Sequence, residues 1–568
     1  MKRLATIARS LPLLLLCGSL MTAAEPADFT ATGERYAVAT VQPVATDAAM
    51  GVLREGGNAV DAAVCAALTL SVVDNHNSGI GGGCLILVRS PQGELIAIDG
   101  REMAPAAASR DMFLVDGKAD PQLSQTGPLA VATPGALAAY AKLLDIAGTK
   151  PLARLLQPGI KAAREGFALN SSYAGRLRGA ASRLRRFPGS RAQLLDPEGQ
   201  PHPEGYVLKQ PDLAATYEGI ARSGTDYFYR GPFAQRVGQW MAENGGLLTT
   251  KDFADYKAKR REPIVSKYRG RTIVGFPPPS SGGIHVAQML TMLERFDLAT
   301  VLRKDRSRAM HLVTEAMKLA FADRAHWLGD SDFADVPRGL LDTDYLARLS
   351  AKIDPERATP VPAHGDPPQW RQDLFGRHTT HIAAADAEGW WVAITATVNT
   401  GFGSKVIVPG TGVVLNNEMD DFSAQPGAPN AFGLIGAENN SVAPGKRPLS
   451  SMSPTIVLDD QGEPLLTVGA AGGPKIITQV LLAILGVTDG GMSLGEAIAQ
   501  PRWHHQWRPD RLSLEASTPF GKALPLSELG HQLSVLPSAG ISQGIEAHAD
   551  GRLTAVRDPR IPGKAAAD

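Results

Sequence analysis

Residues 376–398 read GRHTTHIAAADAEGWWVAITATV, and their punctuation predicts a strand hairpin. Thr379 to Ala385 and Trp390 to Val398 are strand-like runs, and the turn formers at Asp386 to Gly389 separate them. Ahead of the hairpin, residues 354–376 lose periodicity and collect Pro, Gly and Asp, which predicts an exposed, mobile approach. A cut before Thr379 would put a hydroxyl and a new α-amino group on one residue. An α-amino group has a pKa of about 8, so at mildly alkaline pH it can serve as the base for its own hydroxyl. The residues alone leave a second reading open, in which Thr379 and Thr380 are ordinary strand threonines.

Outward from the hairpin, the pattern alternates between helices and strands. Residues 44–73 predict two helices, Ala48 to Arg54 and Ala59 to Val73, with Gly56-Gly57 as a stop and Asn58 as a cap. Cys84 to Arg89 and Glu94 to Asp99 predict a β-hairpin that ends just before Arg101. From about Pro134 to Ser350 the pattern is mostly helical, with PPPSSGG at 277–283 as a rigid loop between a strand and a helix. Thr455 to Leu458 and Leu465 to Gly469 read as paired strands, and a helix is expected from Lys475 to Leu485, just after a glycine-rich run. This order implies a layered α/β architecture.

The chain has 568 residues, 44% of them hydrophobic, so it can bury a large core. Lys+Arg and Asp+Glu both number 57, which leaves no global field to attract nucleic acid or an anionic membrane and favours a small-molecule substrate. Lys2, Arg3 and Arg9, an apolar run through LPLLLLCGSLM and the small-residue site Thr22-Ala23-Ala24 read as a signal peptide over 1–24, with a mature start near Glu25. A retained anchor and a lipoprotein site at Cys17 are the competing readings. On the first reading the protein is periplasmic or secreted and has no membrane contact once the signal is removed. Cys65 and Cys84 then remain, too few for a disulfide framework, and read as buried, inert thiols.

A series of ordered segments carries a resemblance: EGGNAVDAAV (55–64), SGIGGG (78–83), DGREMAP (99–105), PPPSSGGIH (277–285), TTH (379–381), NNEMDDFSAQPG (416–427), KRPLSSMSPT (446–455) and AAGGPKIIT (470–478). From about Gly33 onward the chain resembles the γ-glutamyltransferase (γ-glutamyl transpeptidase) family of N-terminal-nucleophile hydrolases. The resemblance implies a four-layer αββα sandwich and a precursor that cuts itself between His378 and Thr379. A large subunit (25–378) and a small catalytic subunit (379–568) would remain together as a heterodimer. It further implies a γ-glutamyl ester on Thr379, donated by glutathione or a related γ-glutamyl compound and accepted by water, an amino acid or a dipeptide, with no cofactor and no metal.

The family pattern sets Thr397 beside Thr379, where its hydroxyl orients the nucleophile; a plain sheet threonine is the alternative. A γ-glutamyl group presents a zwitterion, and Arg101 can hold its carboxylate with a bidentate fork. By resemblance Ser450 and Ser451 add hydroxyl donors, and Asp421, Glu418 and Asn399 take the ammonium. The backbone N–H groups of Gly472 and Gly473 would receive the oxyanion, since glycine lets the backbone come close. Residues 422–449 read as a lid. Many lidded bacterial members have a tyrosine where this chain has Phe432, so a looser gate held by packing alone is expected here.

Three motifs are set aside. Gly79 to Gly83 lacks the GK[ST] of a phosphate loop, His504-His505 lacks a nearby third ligand at metal spacing, and PPPSSGG sits between core-like elements. Two other functions compete with this reading. A cephalosporin or glutaryl acylase would share the fold, but Asp421 would face an apolar chain at a desolvation cost. An uncleaved periplasmic amino-acid-binding protein would not need the Thr379, Thr397 and Gly472-Gly473 set.

Overall fold

The computed structural model describes residues 29–368 and 380–568. Two antiparallel seven-stranded sheets lie face to face. The first runs Lys564–Ala567, Tyr36–Thr40, His381–Asp386, Trp391–Thr397, Gly83–Arg89, Leu95–Gly100, Lys259–Arg261. The second runs Thr30–Gly33, Leu553–Val556, Ile541–Ala547, Pro464–Ala471, Thr455–Leu458, Arg271–Gly275, Ile264–Tyr268.

Strand periodicity builds the layers. Successive side chains point to opposite faces, so Ala383, Ala385 and Ala393 of the first sheet pack on Val274, Ile456 and Ile545 of the second. Their neighbours Ile382, Ala384, Val392 and Ile394 face outward into a helical layer that includes Pro43–Arg54, Ala59–Val73 and Ala136–Ala147. On the far side, Ile273, Val457, Leu466 and Val468 meet Gly282–Leu293, Arg306–Trp327 and Lys475–Thr488. Helix, sheet, sheet and helix make the expected αββα sandwich. Both faces of each sheet are apolar because both are covered.

The helix Ala59–Val73 is buried along its whole length and starts at a capping box, in which Asn58 accepts from the Asp61 N–H and Asp61 accepts from the Asn58 N–H. Asp386, in the turn of the decisive hairpin, accepts from the N–H of Ala59 at 2.7 Å and so ties that helix to the central strands. In the glycine run 78–83, a Cβ on Gly82 would overlap the carbonyl oxygen of Thr397. Only glycine therefore lets this loop close on the strand that carries Thr397.

The stretch read as mostly helical also contains the strands Ile264–Tyr268 and Arg271–Gly275, joined by Arg269-Gly270 with φ of 50° and 78°. That two-residue turn matches the twist of the strands. The described part of the segment expected to be mobile, 354–368, has no helix or strand but is fastened. The Val361 carbonyl accepts from the Trp507 indole at 2.8 Å, and the Gly365 N–H reaches Asp323 at 2.8 Å. Its aperiodic sequence reflects a pinned irregular path over these residues. Cys65 and Cys84 are buried and unbridged, and burial pushes the Cys65 thiol up to about 12. Among the described residues, no helix is long and apolar enough to cross a membrane.

Candidate active site

A cleft of about 570 Å³ opens where the decisive hairpin begins. Its walls include Thr380, Asn399, Phe432, Gly472 and Gly473. His378 and Thr379 lie outside the described residues. Thr380 exchanges backbone hydrogen bonds with Ala396: its N–H donates to the Ala396 carbonyl, and Ala396 returns a bond of 2.6 Å. Thr397 comes next on that strand, buried, with its Oγ1 accepting from the Asn399 N–H at 2.7 Å.

Asn399 leaves the strand with φ of 74°, a left-handed conformation rare outside glycine and common at functional sites. Its Nδ2 donates to the Asn417 carbonyl at 3.0 Å, while Oδ1 is buried without a donor among the described residues. Gly472 and Gly473 follow the strand Pro464–Ala471 with φ of 137° and 63° and precede the helix Lys475–Thr488. A Cβ on Gly473 would stand 2.8 Å from the Phe432 ring.

Arg101, Glu418 and Asp421 form a buried ionic cluster. Arg101 donates through Nη1 to Glu418 and, at 3.2 Å, to Glu102, through Nη2 to Asp421 at 2.8 Å, and through Nε to the Pro448 carbonyl at 3.2 Å. One guanidinium thus faces three carboxylates. Burial pushes all three carboxyls up, against the pull of Arg101. For Arg101 burial opposes the charge, but Glu418, Glu102 and Asp421 together hold its pKa above the ordinary value. Glu418 keeps its Oε2 buried with no donor among the described residues.

The lid joins the cluster to the cleft. Asn430 donates from Nδ2 to Asp421 at 3.4 Å, and its Oδ1 accepts from the N–H of Phe432 at 3.0 Å. The Phe432 carbonyl accepts from Gln506 at 3.3 Å. Packing alone therefore does not hold this gate, because the backbone of Phe432 is bonded on both sides. Ser450 accepts from the Met452 N–H at 3.0 Å, and Ser451 accepts from Arg324 at 3.4 Å, so both hydroxyls retain a proton to donate.

Sequence comparison decides the family. The family model described as Gamma-glutamyltranspeptidase matches residues 45–568. This chain belongs to that family. It is 42% identical over 525 residues to a glutathione hydrolase proenzyme of Escherichia coli (strain K12), covering 92% of this chain and 90% of the relative. In structure it is similar to cephalosporin acylase from Bacillus halodurans, with a TM-score of 0.86 and 28% identity over 98% of this chain and 99% of that one. A chain of Helicobacter pylori gamma-glutamyltranspeptidase superposes with a TM-score of 0.55 and 38% identity, covering 56% of this chain and 92% of its own length. The family and the sandwich expected from the eight segments are both borne out.

Two groups near the site were not expected from the sequence of this family member. Arg324 is fully buried in the helix Arg306–Trp327, bonds Ser281 and Ser451, and burial drives its pKa down to about 9. Its helix carries several other charged residues, so the sequence offers no signal that singles Arg324 out. Asp74 lines the cleft and accepts from Asn77 at 3.1 Å; burial raises its carboxyl to about 7 although Asn77, Arg176 and the Thr380 hydroxyl lower it. Asp74 follows the helix Ala59–Val73 as its C-cap, and no local pattern marks it.

Proposed function

We propose that this protein is a self-processing γ-glutamyltransferase. Thr379, freed by cutting after His378, takes the γ-glutamyl group of glutathione or a related amide and passes it to water, an amino acid or a dipeptide. The observation that carries this reading is the pair of buried acceptors, Asn399 Oδ1 and Glu418 Oε2, beside a cluster with more carboxylates than guanidinium. Burial holds these carboxyls above their ordinary range, and a cation that donates hydrogen bonds would satisfy the acceptors and hold the carboxyls ionised; the α-ammonium of a γ-glutamyl group is one. Its α-carboxylate would fall to Arg101 and the Ser450 and Ser451 hydroxyls, with Arg324 behind Ser451.

In the reaction, Thr379 Oγ attacks the γ-carbonyl while the α-amino group of the same residue takes the hydroxyl proton. The carbonyl oxygen becomes anionic and is received by the N–H groups of Gly472 and Gly473. Collapse expels the amine, which takes the proton, and leaves the ester. Water or an acceptor amine then repeats the sequence in reverse. Support for the position of Thr397 comes from the pairing of Thr380 with Ala396, since a strand continued one residue back from Thr380 meets Thr397. Because Thr397 Oγ1 accepts from Asn399, its own proton is available to the nucleophile.

The proposal includes export through a signal peptide at 1–24, which lies outside the described residues, and subunits of 25–378 and 379–568. That the E. coli relative is a proenzyme supports processing. A gel tests it: wild type runs as two fragments and Thr379→Ala as one chain. An intact wild-type chain with full transferase activity overturns the mechanism. The acylase reading is kept because of the Bacillus halodurans likeness. A glutaryl chain has no ammonium and would leave Asn399 Oδ1 and Glu418 Oε2 unpaired. Faster turnover of a glutaryl anilide than of the γ-glutamyl anilide would favour that reading.

A further inference from the structure

On the face of the second sheet's helical layer lies a cavity of about 130 Å³, separate from the cleft. Leu302, Ala309 and Val313 line it from one side of the chain's cut position, and Leu482, Leu485 and Met492 from the other. The walls are apolar, yet two hydrogen-bond donors at the cavity lack acceptors. Trp503 is only 7% exposed, and its indole Nε1 is buried with no partner among the described residues. Arg306 is half-buried and has no hydrogen bond or ion pair to its guanidinium among the described residues.

The other arginines at the cavity are engaged. Arg502 donates to Asp558, Gln479 and the carbonyls of Ile498 and Gly540, and Arg303 reaches the Thr300 hydroxyl at 3.0 Å. Burial alone lowers the Arg306 pKa, with no neighbouring carboxylate to offset it. A buried donor without an acceptor is costly, which applies to the Trp503 indole, and the half-buried Arg306 guanidinium beside it has no protein anion to pair with among the described residues. An apolar cavity of roughly 150 Å³ admits a benzene ring, so this one has room for a group of about that size.

We propose that this cavity is a binding site for a small amphipathic monocarboxylate, with a ring or branched alkyl group against the leucines and its carboxylate between Arg306 and the Trp503 N–H. Charge complementarity selects the anion, and wall composition selects the apolar body. The site is distinct from the catalytic cleft. It nevertheless touches the helix Lys475–Thr488, whose first turn follows Gly472 and Gly473.

The test is titration calorimetry of the mature protein with benzoate, with benzyl alcohol as the uncharged control. Saturable binding of one benzoate per chain is expected, with benzyl alcohol weaker. Arg306→Gln should weaken benzoate about ten- to a hundredfold, the loss of a charge-assisted pair of hydrogen bonds. Trp503→Phe, which keeps a ring and removes the N–H, should weaken it severalfold. Both variants should retain γ-glutamyl anilide hydrolysis, which shows that they are folded. No saturable binding at millimolar benzoate, equal binding of benzyl alcohol, or undiminished binding in Arg306→Gln overturns the proposal.

Discussion

Arg101 donates to Asp421 through Nη2 at 2.8 Å, with both side chains sealed from solvent. The partner charges sit 320 residues apart in sequence, and the sandwich brings them together at the floor of the lid. One guanidinium meets three carboxyls there, and burial raises all three against its pull, so the cluster has carboxyl groups that a further cation would hold ionised. On the proposed function, the α-ammonium of the substrate is that cation.

Asp421→Asn keeps the shape and an acceptor but removes a charge. For γ-glutamyl p-nitroanilide, kcat/KM should fall about a hundredfold, the scale of one charge-assisted hydrogen bond. For glutaryl p-nitroanilide, which lacks the ammonium, the change should be much smaller. Steady-state kinetics on both substrates decide, and equal losses would remove Asp421 from ammonium recognition.

Gly473→Ala forces a Cβ to 2.8 Å from the Phe432 ring at a φ of 63°. With an oxyanion donor displaced, kcat should drop on the order of a hundredfold or more while KM moves little. Adding Phe432→Ala relieves the crowding and should recover part of that loss. Wild-type kcat in Gly473→Ala would mean that this N–H is no oxyanion donor.

Phe432→Tyr adds a hydroxyl to a gate already bonded through its backbone to Asn430 and Gln506. A tighter gate should exclude water better and lower hydrolysis relative to transfer. Product analysis with and without a dipeptide acceptor measures the ratio. An unchanged ratio would end the argument that this position tunes the gate.

Asp74 gives a pH signature. Burial raises its carboxyl from 3.8 to about 7, so between these values the folded protein holds a proton that the unfolded chain has lost. Stability contributed by this group is therefore full below pH of about 4 and declines as pH rises towards about 7. Asp74→Asn cannot ionise and should gain stability relative to wild type across that window, with the gain level above it. Thermal unfolding of both proteins from pH 4 to 9 checks the sign, and a gain that shrinks with rising pH would refute it.

Local signals explain what was legible in the sequence. Asn58 and Asp61 are three residues apart and fix a helix start by themselves, and Asp386 to Gly389 mark a hairpin without outside help. The strands Ile264–Tyr268 and Arg271–Gly275 carry a comparable signal in Arg269-Gly270, weak because arginine seldom adopts positive φ. Arg101, Glu418 and Asp421 came from family motifs. Their mutual pairing did not, because it depends on tertiary distance. Arg324 sits in a helix that also carries Glu315, Lys318 and Asp323, and Asp74 opens the polar run Asp74-Asn75-His76-Asn77, so nothing local singles either out and their place near the cleft and the Ser451 hydroxyl is visible only once the sheets are stacked.

The first sheet interleaves strands from both sides of position 379. Tyr36–Thr40 lies between Lys564–Ala567 and His381–Asp386, and Gly83–Arg89 pairs with Trp391–Thr397. A backbone cut at that position alters the covalent map without creating a surface along which the pieces could part. Each sheet draws strands from both sides of that position, so pulling the pieces apart would tear both sheets, which is denaturation and not dissociation. If the chain is cut there as proposed, dilution would have no free subunit to favour.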